Sequence, residues 1–409
     1  MKKRSEYTVD YATLKDTIAE LKRLTGNSTL EVCNTIRITG DGDRLTLEAT
    51  DLESRVTRVL TNQCSQVVEG ELDTCVKSKD LHKALSGVTG NTTVRLASGD
   101  AGALSVTVAS VGVTVRLPRS VDPEEFPPVP SMDGDEQVVC ECDPDKDDEG
   151  ADLKFVAQCM STDETRYNLN AAYFDGERGK IVATDGHRLH VVDASALSGT
   201  ALLPAAAMGF LVRMSNRRGE IPGYSFSTFG DNPKYAYIET EDGWRLITRY
   251  IDGQFPEYMQ VIWDPTTTKA EVLLHAEDGK ALLKAIKQAA KFAPKRNGGV
   301  RIRIESGKPV VAATREDIDD PEVEVELPLE VSRMDGGPLT LNVNVNYLVE
   351  PLSVADGEVL IHVKEYDLED GEDDRGRPVK VKGETAFCGG PYVIDVGHGR
   401  MAFVMPMRM

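Results

Sequence analysis

The chain has 409 residues, and its 67 acidic against 47 basic side chains give a formal net charge of −20; that length suits two or three domains rather than one core. No stretch approaches the roughly 18 consecutive apolar residues of a membrane span, and Met1–Asp10 is charged rather than signal-like, so a soluble, cytoplasmic protein is expected. Seven scattered cysteines with no Cys-x-x-Cys spacing read as reduced thiols, and neither a metal nor a cofactor is expected.

The acidity argues at first sight against a nucleic-acid partner, but it is unevenly placed. Asp133–Asp152 holds ten acids and one base, and Glu365–Asp374 holds seven acids and no base. Both stretches lack apolar periodicity and read as solvated loops, so they say little about the faces that would meet DNA.

In chain order, the first amphipathic helix is predicted over Tyr11–Leu24, where Leu14, Ile18 and Leu21 recur at helical spacing. Alternating strands follow, such as Arg44–Ala49, then a second helix over Ser78–Ser86 and further strands within Ala103–Leu117. The same order returns with helix Asp152–Met160, strand Lys180–Ala183 and helix Pro204–Met214. It returns again with helix Gly279–Phe292, strand Arg301–Ile304 and helix Asn346–Leu352. The period of about 130 residues is far longer than that of solenoid repeats. Two matched details favour duplication over three unrelated α+β domains or one large mixed domain. Ala49-Thr50-Asp51 is echoed by Ala183-Thr184-Asp185, and Glu125-Phe126-Pro127 by Gln254-Phe255-Pro256. Boundaries fall near Met132 and Asp264, giving segments 1–132, 133–264 and 265–409, the last with an acidic insertion near 365–390.

Within Gly279–Phe292, Lys280, Lys284, Lys287 and Lys291 are spaced to share one helical stripe, while Leu282, Ile286, Ala289 and Ala293 repeat about 200° away. Four lysines with no acid among them repel one another unless an anion lies opposite, which points to a phosphate-facing stripe. Lys15 with Lys22, Lys79 with Lys83, Lys154, and Arg213 with Arg217 are weaker versions on other helices. Thr184-Asp185-Gly186-His187-Arg188-Leu189 invites a hydrolase reading through Asp185 and His187. No nucleophile elbow or phosphate loop accompanies it, and a turn with Gly186 at its tip and Arg188 paired locally is the better reading. Val404-Met405-Pro406-Met407-Arg408-Met409 closes the chain with thioethers able to line an adaptable apolar groove.

These motifs, in their order, resemble the bacterial sliding clamp, the beta subunit of DNA polymerase III. The resemblance covers essentially the whole chain. It rests on Ala49-Thr50-Asp51-Leu52-Glu53, Glu124-Glu125-Phe126-Pro127, Arg166-Tyr167 with Leu169-Asn170, and the Thr184–Leu189 run. Asp252-Gly253 with Phe255-Pro256 and Tyr258, Asn344-Val345-Asn346-Tyr347, and the terminal Val404–Arg408 complete it.

The resemblance implies an α+β fold of three clamp domains, each with two helices on antiparallel sheets, and a head-to-tail homodimer closing a ring of six domains. It implies double-stranded DNA in the pore, with Tyr167 added to the basic residues facing it, and Val115, Leu117 and Phe292 at the dimer interface. A replicative polymerase, a clamp loader and other partners would insert a short peptide into a pocket. That pocket would use Leu169, Thr184, Gly186, His187, Arg188, Leu189, Pro256, Val261, Asn344, Tyr347, Val404, Met405, Pro406, Met407, Arg408 and Met409. Gln260, Asn297 and Asn168 depart from the residues frequent in the family. A clamp-derived adaptor or decoy that binds partner peptides without encircling DNA is the main rival.

Overall fold

Helix α1 (Tyr11–Leu24) begins where the Asp10 carboxylate accepts the Thr13 amide, and it buries Leu14, Ile18 and Leu21 completely. The cap satisfies one of the orphan amides of the first turn. Each such buried side chain contributes about 1.5–3 kcal/mol. The computed structural model describes residues 5–26, 28–88, 90–130, 136–142, 149–194, 197–216, 223–229, 235–251, 253–263, 272–293, 298–305, 308–313, 323–333, 339–363, 386–387 and 391–407. The other α-helices among them are α2 (Ser78–Ala84), α3 (Glu149–Ala157), α4 (Ala205–Asn216), α5 (Gly279–Ala290) and α6 (Val345–Leu352). All six coincide with expected helices. Only α1 matches its expected limits at both ends, because caps and last turns are decided by local hydrogen bonds rather than by apolar spacing.

The chain forms two compact units, Met1–Asp145 with Pro222–Tyr250, and Lys146–Ile221 with Ile251–Met409. The boundaries expected near Met132 and Asp264 lie outside the described residues. In the first unit, a five-stranded antiparallel sheet runs Cys64–Val68, Glu6–Asp10, Thr93–Ser98, Leu104–Val108, Val113–Leu117. An eight-stranded sheet joins Thr35–Asp41, Arg44–Thr50, Ser54–Leu60 and Leu72–Lys77 to Gln137–Cys142, Tyr224–Phe229, Tyr235–Thr240 and Trp244–Arg249. The joint is the antiparallel pairing of Ser54–Leu60 with Trp244–Arg249. Helices α1 and α2 pack on each other, and α1 touches strands of both sheets.

In the second unit, a nine-stranded sheet joins Ala171–Asp175, Lys180–Thr184, Arg188–Asp193 and Ala201–Pro204 to Val272–Ala276, Glu330–Arg333, Val359–Val363, Tyr392–Asp395 and Met401–Val404. Here the joint is Arg188–Asp193 against Met401–Val404. A five-stranded sheet holds Val323–Glu326, Lys308–Ala313, Gly299–Glu305, Leu339–Asn344 and Ala386–Phe387. Helices pair again, α3 with α4 and α5 with α6. Among the described residues no helix is long and apolar enough to cross a membrane.

Candidate functional site

The Thr184–Arg188 turn is built by its own side chains. Thr184 Oγ1 donates to the Arg188 carbonyl at 2.6 Å and accepts the Gly186 amide at 3.1 Å. Asp185 Oδ1 accepts the amides of His187 and Arg188, and its Oδ2 accepts Arg188 Nε at 3.0 Å. Asp185 is therefore engaged with the backbone and Arg188, not with the His187 ring, which favours the structural-turn reading over an acid/base pair.

The first unit contains the same turn. Thr50 Oγ1 donates to the Ser54 carbonyl and accepts the Leu52 amide, while Asp51 Oδ1 accepts the amides of Glu53 and Ser54. The frames also match beyond the turn: Met405 N donates to the His187 carbonyl at 3.0 Å, as Arg249 N does to the Glu53 carbonyl at 3.1 Å. Gly186 sits at φ 88°, and Leu52 occupies the corresponding place at φ 78°. A side chain in the left-handed region costs roughly 1–2 kcal/mol, partly offset because glycine loses more backbone entropy on folding. Leu52→Gly is thus expected to stabilise the protein by about 0.5 kcal/mol, and Gly186→Ala to destabilise it by about 1 kcal/mol. Urea unfolding checks both; a loss of stability in Leu52→Gly contradicts the strain argument.

The two frames differ in what they expose. Beneath the surface, where the second has the buried Leu189, the first has the buried Arg55, ion-paired with Glu48 at 2.9 Å and bonded to the Pro127 carbonyl. Where the second has Met405, the first has Arg249, 3.3 Å from Glu53. At its surface the first frame thus carries the Arg249–Glu53 pair beside the exposed Leu52. The second keeps an apolar rim, with Met405 40 % and Val261 38 % exposed.

Around that rim the expected residues fall into three groups. Pro256, Val261 and Met405 are exposed, and Tyr347, Pro406 and Met407 are half-buried. Leu169, Leu189 and Val404 are buried instead; Leu189 packs with Val182, Val191, Tyr258, Val393 and Phe403, so it underlies the surface rather than forming an open wall. Thr184 and Asn344 are spent on structure, Thr184 in the turn and Asn344 as the N-cap of α6 accepting the Asn346 amide at 3.0 Å. Met407 N donates to the Asn342 carbonyl at 2.9 Å. Arg408 and Met409 lie outside the described residues.

Beside the rim is a polar cavity of about 450 Å³ lined by Gln158, Met160, Ser161, Thr162, Asp163, Arg166, Asp185, His187, Arg188 and Glu350. Of these, only His187 and Arg188 were expected as pocket residues. Arg188 organises the cavity wall. Its guanidinium donates to the Gln158 carbonyl at 2.8 Å, pairs with Asp185 and Glu350, and lies 4.4 Å from the centre of the Tyr347 ring. Sequence reasoning missed Glu350 as a partner because it lies on α6, far along the chain from Arg188. Two residues on, His190 is fully buried, stacks on Phe155 and bonds to the Phe155 carbonyl. Burial holds its imidazole down to about 3, well below the ordinary histidine range.

The basic residues are placed as follows. On α5, Leu282, Ile286 and Ala289 are buried, while Lys280, Lys284, Lys287 and Lys291 are exposed. No acid lies among the lysines on the helix itself, but Lys280 Nζ lies 2.6 Å from Asp356 Oδ1 of another segment. That partner follows α6 and was invisible in the spacing of α5. Lys15, Lys79 and Lys83 are exposed, and Tyr167 is 59 % exposed; Lys22, Lys154 and Arg213 are half-buried. Arg217 lies outside the described residues. At the expected interface, Val113–Leu117 is an edge strand with Val115 half-buried and Leu117 buried, and Phe292 is half-buried just past α5.

No protein-family model matches the chain. The beta sliding clamp of Caulobacter vibrioides (strain NA1000 / CB15N) is 26 % identical over 339 residues, covering 79 % of this chain and 83 % of that protein. The beta sliding clamp of Synechococcus elongatus is 29 % identical over 319 residues, covering 76 % and 78 %. Among solved structures, the C. crescentus beta sliding clamp superimposes with a TM-score of 0.74 at 21 % identity, covering 100 % of both chains. In sequence over most of its length, and in fold throughout, this chain is similar to the beta sliding clamps, the beta subunits of DNA polymerase III.

Proposed function

We propose that two copies of the chain close head to tail into a ring of six clamp domains that encircles duplex DNA and tethers a polymerase to it. In this reading each chain contributes domains 1–132, 133–264 and 265–409. Topological linkage holds the ring on DNA, so individual phosphate contacts can be weak and sequence-independent, which permits sliding. A polymerase tethered to the ring stays at a high effective concentration near the primer end. The observation that carries the reading is the exposed lysine row of α5 on a fold that matches sliding clamps along its whole length.

The apolar rim around Met405, Val261 and Pro256 docks a short partner peptide, with His187 and the cavity shaped by Arg188 beside it. Support comes from the contrast between the two frames, since Arg249 stands in the first unit where Met405 stands in the second. Closure uses the edge strand Val113–Leu117 of one copy against the region of Phe292 in the other. Two copies with three domains each satisfy a closed two-fold assembly.

Sedimentation velocity tests the assembly. Twice the 44.7 kDa chain mass is expected at micromolar concentration, and Val115→Asp, at a half-buried position of the edge strand, is expected to yield folded monomers. A wild-type monomer at that concentration contradicts the ring.

A further inference from the structure

We infer that Asp356 is a built-in counter-charge that subtracts Lys280 from the DNA-facing stripe, leaving Lys284, Lys287 and Lys291 as the working phosphate contacts of α5. The inference rests on the DNA-facing reading of α5 and refines it.

The pair is set by the fold. Gly279, at the start of α5, packs against Ala355 and Val359, and its amide donates to the Gly357 carbonyl at 2.7 Å. This contact fixes the Ala355–Val359 segment beside the first turn of the helix. Lys280 then stands at a helix N-terminus, where the macrodipole disfavours a cation. Two carboxylates compensate: Asp278 caps the helix by accepting the amides of Lys280 and Ala281, and Asp356 takes the ammonium at 2.6 Å. The pairing shifts both partners in the expected senses, Lys280 upward and Asp356 downward, each chiefly through their shared hydrogen bond.

The side chains are 71 % and 74 % exposed, so the pair adds little stability. Its effect is on the outward field. At the distance of a bound phosphate the ammonium and carboxylate act nearly as a neutral dipole, and little counterion release is gained there. Lys284 and Lys287 form no ion pair among the described residues, and Lys291 bonds only to the neutral Gln288 amide oxygen.

The test is equilibrium binding of the full-length protein to a fluorescent duplex at low and moderate salt, with K280A, K284A, D356N and D356N/K280A beside wild type. K284A is expected to weaken binding more than K280A does. D356N is expected to raise affinity and to enlarge the ratio of affinities between about 50 and 200 mM salt by about threefold, the increment of one added phosphate contact. Adding K280A to D356N should remove most of that gain, which a merely structural role for Asp356 would not produce. Equal losses in K280A and K284A, or a D356N gain that persists without Lys280, overturn the inference. If K284A also costs nothing, the DNA-facing reading of α5 itself fails, and the inference falls with it.

Discussion

Replacing Lys280, Lys284, Lys287 and Lys291 together by Glu is expected to lower retention on DNA by on the order of a hundredfold at physiological salt, because several phosphate contacts become repulsions. The fold should survive. The buried side of α5 is Leu282, Ile286 and Ala289, the Asp278 cap is untouched, and Glu matches Lys in helix propensity. Peptide binding at the Met405 rim should be unchanged, since none of the four lysines lies on it. The readout is polymerase stimulation on primed circular DNA, with thermal melting as the control for folding. Wild-type stimulation by a folded quadruple variant contradicts a DNA-facing α5. Because Asp356 already offsets Lys280, most of the loss should be reproduced when Lys280 is left in place.

Deleting Met405–Met409 is expected to weaken binding of a peptide with a glutamine and spaced Leu/Phe anchors by at least about tenfold, or about 1.4 kcal/mol. The deletion removes the exposed Met405 thioether. It also removes two amides that tie the tail down, Met405 N to the His187 carbonyl and Met407 N to the Asn342 carbonyl. The strand Met401–Val404 remains, with Val404 still buried and paired opposite Arg188, so the dimer should persist. Calorimetry decides the matter: full affinity in the truncated dimer refutes the pocket, and loss of the dimer shows the tail to be structural.

The sequence made periodic features legible and left long-range ones hidden. Leu14, Ile18 and Leu21 mark α1 because burial at helical spacing shows directly in a string of letters. The Thr-Asp turn was legible for a similar reason, as its hydrogen bonds close within five residues. By contrast, the pairs Lys280–Asp356, Arg188–Glu350 and Arg400–Asp152 each join distant segments, and spacing carries no trace of them. The same limit explains the pocket. Leu189 and Val404 have the apolar chemistry of a wall, but strand pairing turns them into the core, and Asn344 has a polar group that α6 claims as its cap. Leu52 shows the converse: its residue type gives no hint of a positive φ, which only the comparison with the Gly186 turn makes intelligible.

A sliding clamp differs from a peptide-binding adaptor at a single point, whether the closed dimer surrounds DNA. An adaptor would share the apolar rim and the Arg188-lined cavity while leaving DNA free. The most direct measurement loads the dimer onto a nicked circular duplex with a clamp loader and ATP, then follows retention before and after the circle is cut to a linear form. Topological linkage predicts persistence on the circle and rapid loss from the free ends after cutting. Equal retention on circular and linear DNA, or none on either, contradicts encirclement.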